Sequence, residues 1–313
     1  MAEILVDVKN LTHDEWLNMR SKGIGGSDVG AICGLSKYRS PYAVYLSKIG
    51  ELPKEPESNA AHFGTILEET VAREFTRQTG KKVKRNNKML IHKEYPFMLA
   101  NLDRMVIGEK AFLECKTTSA YNSDLWEGDK IPEGYMLQIQ HYMEVLNYDY
   151  CYIACLIGGQ RFVWKKILRD PELIKTMIAI EKDFWENHVL KRIPPELDGG
   201  EADAEILSKL YPESKEEEIA LPYAAAEMIA KYKELKDKKA ELEEDLRNCE
   251  NYLKDLLGEN ESGYIDDLKV TWKTIKSNRV DSKILKEKYP EIYDECCFES
   301  SCRKFGIKYP KSK

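Results

Sequence analysis

The chain has 313 residues, of which 42% are hydrophobic and 33% charged, with a formal net charge of −6. That length holds one large domain, or a domain of roughly 200 residues with an appendage. The composition excludes a disordered chain, and no apolar run approaches the roughly 18 residues a membrane span needs. The opening MAEILVDVKN has neither the basic stretch and apolar core of a secretory signal nor the character of a transit peptide, so a cytoplasmic location is expected.

In chain order, the glycines of KGIGGSD lead into VGAICG, which predicts a loop entering a short helix capped by Ser27. A second helix is expected across Pro41 to Gly50. Leu67, Val71, Ala72 and Phe75 recur at helical spacing, predicting a helix over Glu68 to Thr79 that Gly80 ends. The period then changes. KVKRNN, KMLIHKE, FMLANLDRMVI and AFLECKTT are short, rich in Val, Ile, Leu and Phe, and separated by Asn, Pro or Gly, which reads as a β-meander. A helix from Tyr135 to Leu146, strands CYIACLIGG and RFVWKKIL, and a helix through FWENHVL complete an α/β order with a mixed, largely antiparallel sheet flanked by helices.

PPELDGG, from Pro194, reads as a boundary, giving a domain over 1–198 and a helical extension over 199–313. In the extension, apolar residues from Met228 to Leu256 are spaced alternately by four and three. This heptad seam, with Lys239 as its one polar interruption, predicts a long helix over about 224–257. LKVTWKTIK then reads as a strand, followed by a last helix and a basic tail.

Eight cysteines show no paired CxxC spacing, and in a reducing compartment they read as small apolar residues. The cluster Cys296, Cys297 and Cys302 has the wrong spacing for an iron–sulfur nuclease, and no such cluster is expected. The net negative charge does not exclude a nucleic-acid enzyme, because affinity follows local potential. Lys81, Lys82, Lys84, Arg85 and Lys88 form one dense basic stretch, whose plain alternative is a solvated strand edge.

Glu114 and Lys116 lie two apart in AFLECKTT, so strand alternation points both side chains to one face, with Cys115 on the other. A turn at Gly108 would bring Asp103, in the preceding strand, beside them. Hydrolysis of a phosphodiester needs an activated water and neutralisation of the phosphate charge, tasks suited to a magnesium ion held by carboxylates. In that reading Asp103, Glu114 and the main-chain carbonyl of Cys115 hold the metal, and Lys116 orients water or helps deprotonate it. Alone the E-x-K triplet is weak, since a chain one-third charged produces such triplets by chance as exposed salt-bridging strand residues.

The order of R-x-K-G-I-G-G-S-D, G-x-x-x-E on a helix, L-D, E-C-K and Y-M-L-Q-I-Q-H-Y-M resembles the YqaJ-type viral recombinase family and, more distantly, lambda exonuclease with its restriction-endonuclease-like core. The resemblance covers roughly Trp16 to Leu190. It implies that Glu68 is the helix carboxylate near the metal, with Asp103, Glu114 and Lys116 as the catalytic core. Glu69, about 100° round the helix, points elsewhere. It further implies that Tyr135, Gln138 and Gln140 line the site, Gln138 as a direct contact, although a polar helix face would also account for Gln140. Arg20 and Ser27 match positions that grip a 5′-terminal phosphate; a plain cap and a surface arginine is the alternative.

The implied activity is a 5′-to-3′ exonuclease on double-stranded DNA ends that requires Mg²⁺, with Mn²⁺ as a substitute, and no ATP. Its 3′ single-stranded tails would pass to a single-strand annealing partner. A trimeric ring, a phage or prophage origin and a bacterial cytoplasmic setting belong to the same expectation. Two other readings stay open, namely an endonuclease with the same metal site and a non-catalytic DNA-end-binding scaffold.

Overall fold

The computed structural model describes residues 2–53, 56, 58–298 and 300–309. The chain forms two compact units, Met1–Tyr211 and Pro212–Lys313. The first opens with β1 (Glu3–Asp7), α1 (His13–Ser21), β2 (Ile24–Gly25) and α2 (Gly26–Ile32). Ser27 is not the cap that the sequence suggests. Gly25 occupies that position, its N–H donates to Asp28 Oδ2 at 3.0 Å, and Ser27 lies inside the first turn with its hydroxyl turned to Arg20.

Helix α3 (Pro41–Ile49) starts where Pro41 predicts, with Ser40 Oγ accepting from Ala43 N. Helix α4 (Asn59–Thr79) begins at Asn59 rather than Glu68, because Ser58 Oγ accepts from Ala61 N and supplies the start. Most residues of its first two turns are exposed, so no apolar period marks them.

Strands β3 (Val83–Arg85), β4 (Lys88–Ile91), β5 (Met98–Asn101), β6 (Arg104–Val106) and β7 (Phe112–Thr118) follow, then α5 (Glu133–Leu146), β8 (Tyr150–Ile157) and β9 (Arg161–Leu168). The expected meander is divided between two sheets. One has the order β1-β4-β5-β2, the other β3-β6-β7-β8-β9. Period-2 patterning specifies that each segment is a strand but not which strand it pairs with.

In the five-stranded sheet only β7 and β8 are parallel, with Glu114 opposite Ile153 and Lys116 opposite Cys155; the other neighbours are antiparallel. Phe112, Ile139, Met143 and Ile153 join the larger core, whereas Val71, Ala72 and Phe75 of α4 pack with Leu113 and Ala154 in a second cluster. Strand β7 therefore has α5 on one face and α4 on the other. Cys115 packs with the α4 cluster, on the face opposite Glu114, as strand alternation requires.

Helix α6 (Pro171–Asp183) runs into a wide turn over Phe184–Val189, and α7 (Glu201–Leu210) follows. The first unit thus ends at Tyr211 and not at residue 198. Ile206 of α7 is buried in the larger core, and the Asp198 N–H donates to the buried Asp203 Oδ2 at 2.7 Å, so PPELDGG lies inside the unit.

The second unit comprises α8 (Ala225–Leu257), the hairpin β10 (Ser262–Ile265) and β11 (Leu268–Thr271), and two short helices, α9 (Ser282–Lys288) and α10 (Pro290–Cys296). The expected basic tail runs on past residue 309, outside the described residues. Among the described residues no helix is long and apolar enough to cross a membrane.

Candidate active site

Three features converge on β7. Gly108, with φ +85°, closes the turn between β6 and β7, and their antiparallel register sets Arg104 opposite Leu113. Asp103, immediately before β6, is thereby carried alongside β7, where its Oδ2 accepts from Cys115 N at 2.7 Å. Glu114 and Lys116 share a face as predicted, and Lys116 Nζ lies 2.9 Å from Glu114 Oε1.

From α5, Gln138 bridges the two. Its Oε1 accepts from Lys116 Nζ at 2.9 Å and its Nε2 donates to Glu114 Oε1 at 2.7 Å. The Tyr135 ring lies beneath the Lys116 ammonium, 4.6 Å from its centroid. Tyr142, one turn after Gln138, accepts from the same Nε2 at 3.4 Å.

Glu68 also reaches the site, although it is engaged. It lines a cleft of about 300 Å³ together with Gly64, Asp103, Glu114 and Lys116, while its carboxylate is ion-paired with Arg104. Arg104 is buried, and its other nitrogen donates to Glu69 Oε2 at 3.0 Å. The adjacent glutamates thus hold one guanidinium from two sides. Glu69 faces a separate depression with Arg73 and Arg85, consistent with the preference for Glu68.

Burial raises the Asp103 carboxyl well above the usual carboxylate range, and the neighbouring Glu114 charge adds to that rise. Glu114 is raised by burial too, against the attraction of Lys116. For Lys116 burial acts the other way, but the two carboxylates outweigh it and push the ammonium above its ordinary value. The pair of acids therefore stands in a setting that resists two negative charges and holds a cation beside them.

Among the described residues no three His, Cys, Asp or Glu side chains are already gathered tightly enough to enclose an ion. The donor set nevertheless fits a hard divalent cation. Such ions are commonly held by one or two carboxylates with waters completing the shell, and Glu114 Oε2 is buried with no hydrogen-bond partner among the described residues. A buried carboxylate oxygen left without a partner is costly unless something charged meets it.

The Arg20–Ser27 pair is also formed, with Arg20 Nη2 donating to Ser27 Oγ at 2.7 Å and the guanidinium 4.8 Å from the Trp16 ring centroid. Behind it lies a cluster that the sequence did not reveal. Asp28 is fully buried, with Lys48 Nζ and Arg39 Nη1 both at 2.6 Å and Arg20 Nη2 at 3.6 Å. Burial opposes the Asp28 charge, but these cations prevail and hold its carboxyl far below the usual range.

Burial brings Lys48 down to about 8, against the pull of Asp28. Around Asp28 one carboxylate stands among three cations, on a cleft of about 670 Å³ that Asp14, Glu205 and Lys209 also line. This cluster and the β7 site are linked through α5. A Cβ added to Gly26 would stand 2.6 Å from Tyr142 Cε1 and 3.0 Å from Gln138 Cγ.

Gln140 does not belong to the site. Its amide donates to Leu168 O at 2.9 Å and its Oε1 accepts from Asp170 N at 2.9 Å, so it ties α5 to the end of β9. Two residues from Gln138 is about 200° of helix rotation, which turns it away. His141 is structural as well, with Nδ1 3.0 Å from Glu181 and Nε2 3.0 Å from Leu99 O. Of the basic stretch only Lys84 and Arg85 lie in the edge strand β3, and Lys88 opens β4 in the other sheet; Lys81 pairs with Glu109 at 2.5 Å, and Lys82, Lys84, Arg85 and Lys88 are exposed.

Arg104, Tyr142, Asp28, Arg39 and Lys48 were not singled out as site residues by their sequence pattern. Lys48 in PYAVYLSKI and Arg104 in FMLANLDRMVI each sit in an apolar stretch, which hints at burial but not at the partner.

A family model for the YqaJ-like viral recombinase domain matches residues 15–149. The Bacillus subtilis (strain 168) protein YqaJ is 46% identical over 311 residues, which cover 98% of each chain. This chain belongs to the YqaJ-like viral recombinase family. Among solved structures, LHK-Exo in complex with dAMP superposes on this family member with a TM-score of 0.50 at 20% identity, over 57% of this chain and 94% of that one. A second structure, described as the alkaline exonuclease LHK-Exo from Laribacter hongkongensis, gives 0.48 at 17% identity, over 57% and 94%. The first likeness shows a shared fold.

Proposed function

We propose that the protein is a metal-dependent deoxyribonuclease that degrades double-stranded DNA from its ends in the 5′-to-3′ direction. The observation that carries the reading is the buried, unpartnered Glu114 Oε2 beside Asp103, with Lys116 and Gln138 fixed against the same carboxylate. Asp103 and Glu114 would hold Mg²⁺, or Mn²⁺ in its place, together with the Cys115 carbonyl, and Glu68 would join them by exchanging its contact with Arg104. When bound, the ion supplies a water activated for attack and charge to neutralise the scissile phosphate.

The chain's own residues set the geometry around that chemistry. Gln138 clamps Glu114 and Lys116 in register, so the ammonium and the carboxylates meet the phosphate as one preorganised surface. Lys116, held protonated by its neighbours, orients water through its N–H groups and offsets charge on the phosphate oxygens. Tyr135 covers it and limits access of bulk water.

Arg20 and Ser27 would receive the 5′-terminal phosphate, whose two negative charges match the excess of positive charge around Asp28. An end held there, across α5 from the β7 carboxylates, sets which bond is cut and gives the 5′-to-3′ direction. The 3′ tails left behind suit a single-strand annealing protein as partner, and a ring of three subunits around the duplex is the assembly the family resemblance implies.

Lys116→Ala tests the site. Cleavage of linear duplex should be lost while binding of the same duplex in EDTA persists; undiminished cleavage would remove Lys116 from the mechanism. Gln138→Leu, which unclamps both partners, should lower the rate by roughly 10²–10³-fold.

A further inference from the structure

Helix α8 carries an apolar stripe that is exposed along most of its length, with Tyr232 near its start set against the Phe305 ring at 5.7 Å between centroids. Leu235, Leu242, Leu246 and Leu253 sit on one seam, and their exposures lie between 40% and 64%. Its 33 residues bury only Leu257. Ion pairs along the helix, such as Lys238–Glu234 at 2.6 Å and Lys254–Glu250 at 2.9 Å, are exposed and screened by solvent, so they add little. Long helices in water rest chiefly on packing of such a face rather than on propensity.

The charges flanking the seam are sorted by sign along its length. In heptad terms Tyr232, Lys239, Leu246 and Leu253 take position a, and Leu235, Leu242 and Cys249 take position d. The neighbouring e and g positions of the first half hold Lys231, Lys236 and Lys238; those of the second half hold Glu243, Asp245 and Glu250. Such a helix is complementary to its own reverse.

We propose that α8 is a self-association surface, pairing antiparallel with α8 of a second copy of this chain. With Leu242 set against the partner's Lys239, Leu235 meets the partner's Leu246, Lys236 meets the partner's Glu243 and Lys238 meets the partner's Asp245. The two-fold axis makes each of these contacts twice. The Lys239 stem lies along Leu242 while its ammonium reaches the acidic flank. The parallel alternative sets Lys239 against itself, Lys231 against the partner's Lys236 and Asp245 against the partner's Glu250; its one opposite-charge pair, Lys238 with the partner's Glu243, is outnumbered by these like-charge contacts. This surface is independent of the nuclease reading, since none of its residues belongs to the β7 site.

The test is the molar mass of the full-length chain by light scattering, with circular dichroism to confirm that helix content is retained. Leu235→Asp with Leu246→Asp should halve the native mass, which for a ring of three subunits means a fall from six copies, two rings joined through α8, to three. Lys236→Glu with Lys238→Glu, and separately Glu243→Lys with Asp245→Lys, should each do the same, and mixing these two charge-reversed proteins should restore it. Under mild oxidation Tyr232→Cys should crosslink to the partner's Cys249, identified as that peptide pair by mass spectrometry. A mass unchanged by the leucine substitutions, a mixture that does not recover, or a crosslink joining Cys249 to the partner's Cys249 would each overturn antiparallel self-pairing.

Discussion

Gly64 separates the needs of the fold from those of the site. It lies within α4 with no unusual backbone angle, and a Cβ placed there meets only Thr117 Oγ1, at 3.9 Å, an ordinary contact. Glycine inside a helix is about 0.8–1.0 kcal/mol less favourable than alanine. Gly64→Ala should therefore stabilise the free protein by roughly that amount, about 2–4 °C in Tm for a unit of this size.

The same Cβ projects into the cleft shared with Glu68, Asp103, Glu114 and Lys116. Where a DNA backbone must approach those groups, a misplacement of about 1 Å costs on the order of 10² in rate. Thermal unfolding without metal, beside initial rates on linear duplex, should show Tm rising as cleavage falls. Gly26→Ala gives the contrast, because its Cβ would overlap the Tyr142 ring. Overpacking there should destabilise the protein by about 1–3 kcal/mol. A destabilised Gly64→Ala, or one that cleaves at the native rate, would refute the placement of the cleft.

Two further outcomes follow from the electrostatics. A carboxyl whose pKa is raised by folding binds more protons folded than unfolded, so its ionised form costs stability, and that cost disappears as the pH falls to the ordinary carboxylate range. Asp103→Asn should accordingly raise the Tm of the metal-free protein at pH 7, with a gain that vanishes near pH 4, while cleavage and the Tm increase on adding Mg²⁺ are both lost. Arg20→Ala should lower the rate on 5′-phosphorylated ends much more than on 5′-hydroxyl ends; equal losses on the two would take Arg20 out of phosphate recognition.

What the sequence made legible was local. Strand alternation put Glu114 and Lys116 on one face and the Gly108 turn brought Asp103 beside them, whereas Gln138 came from the family resemblance. Gln140 shows the limit of reading two glutamines as one motif, since a helix turns the second toward β9. The two-sheet division was hidden because β4 and β5 carry the same apolar signature as β6 and β7, and pairing depends on segments far away in the chain, β1 and β2 among them.

Arg104 and the Asp28 cluster were hidden for the same reason. A buried charge becomes intelligible only when its partners, 35 and 36 residues distant for Arg104 and 11 and 20 for Asp28, are seen to meet it. Ser27 was placed correctly near Arg20 although its capping role fell to Gly25.

End-directed 5′-to-3′ cleavage is tested by digesting linear duplex labelled at one 5′ or one 3′ end, with Mg²⁺ or EDTA, beside a closed circular duplex. Metal-dependent release of 5′-terminal mononucleotides, retention of the 3′ label on long products and an intact circle are expected. A nicked circle, or release of the 3′ label first, would contradict it.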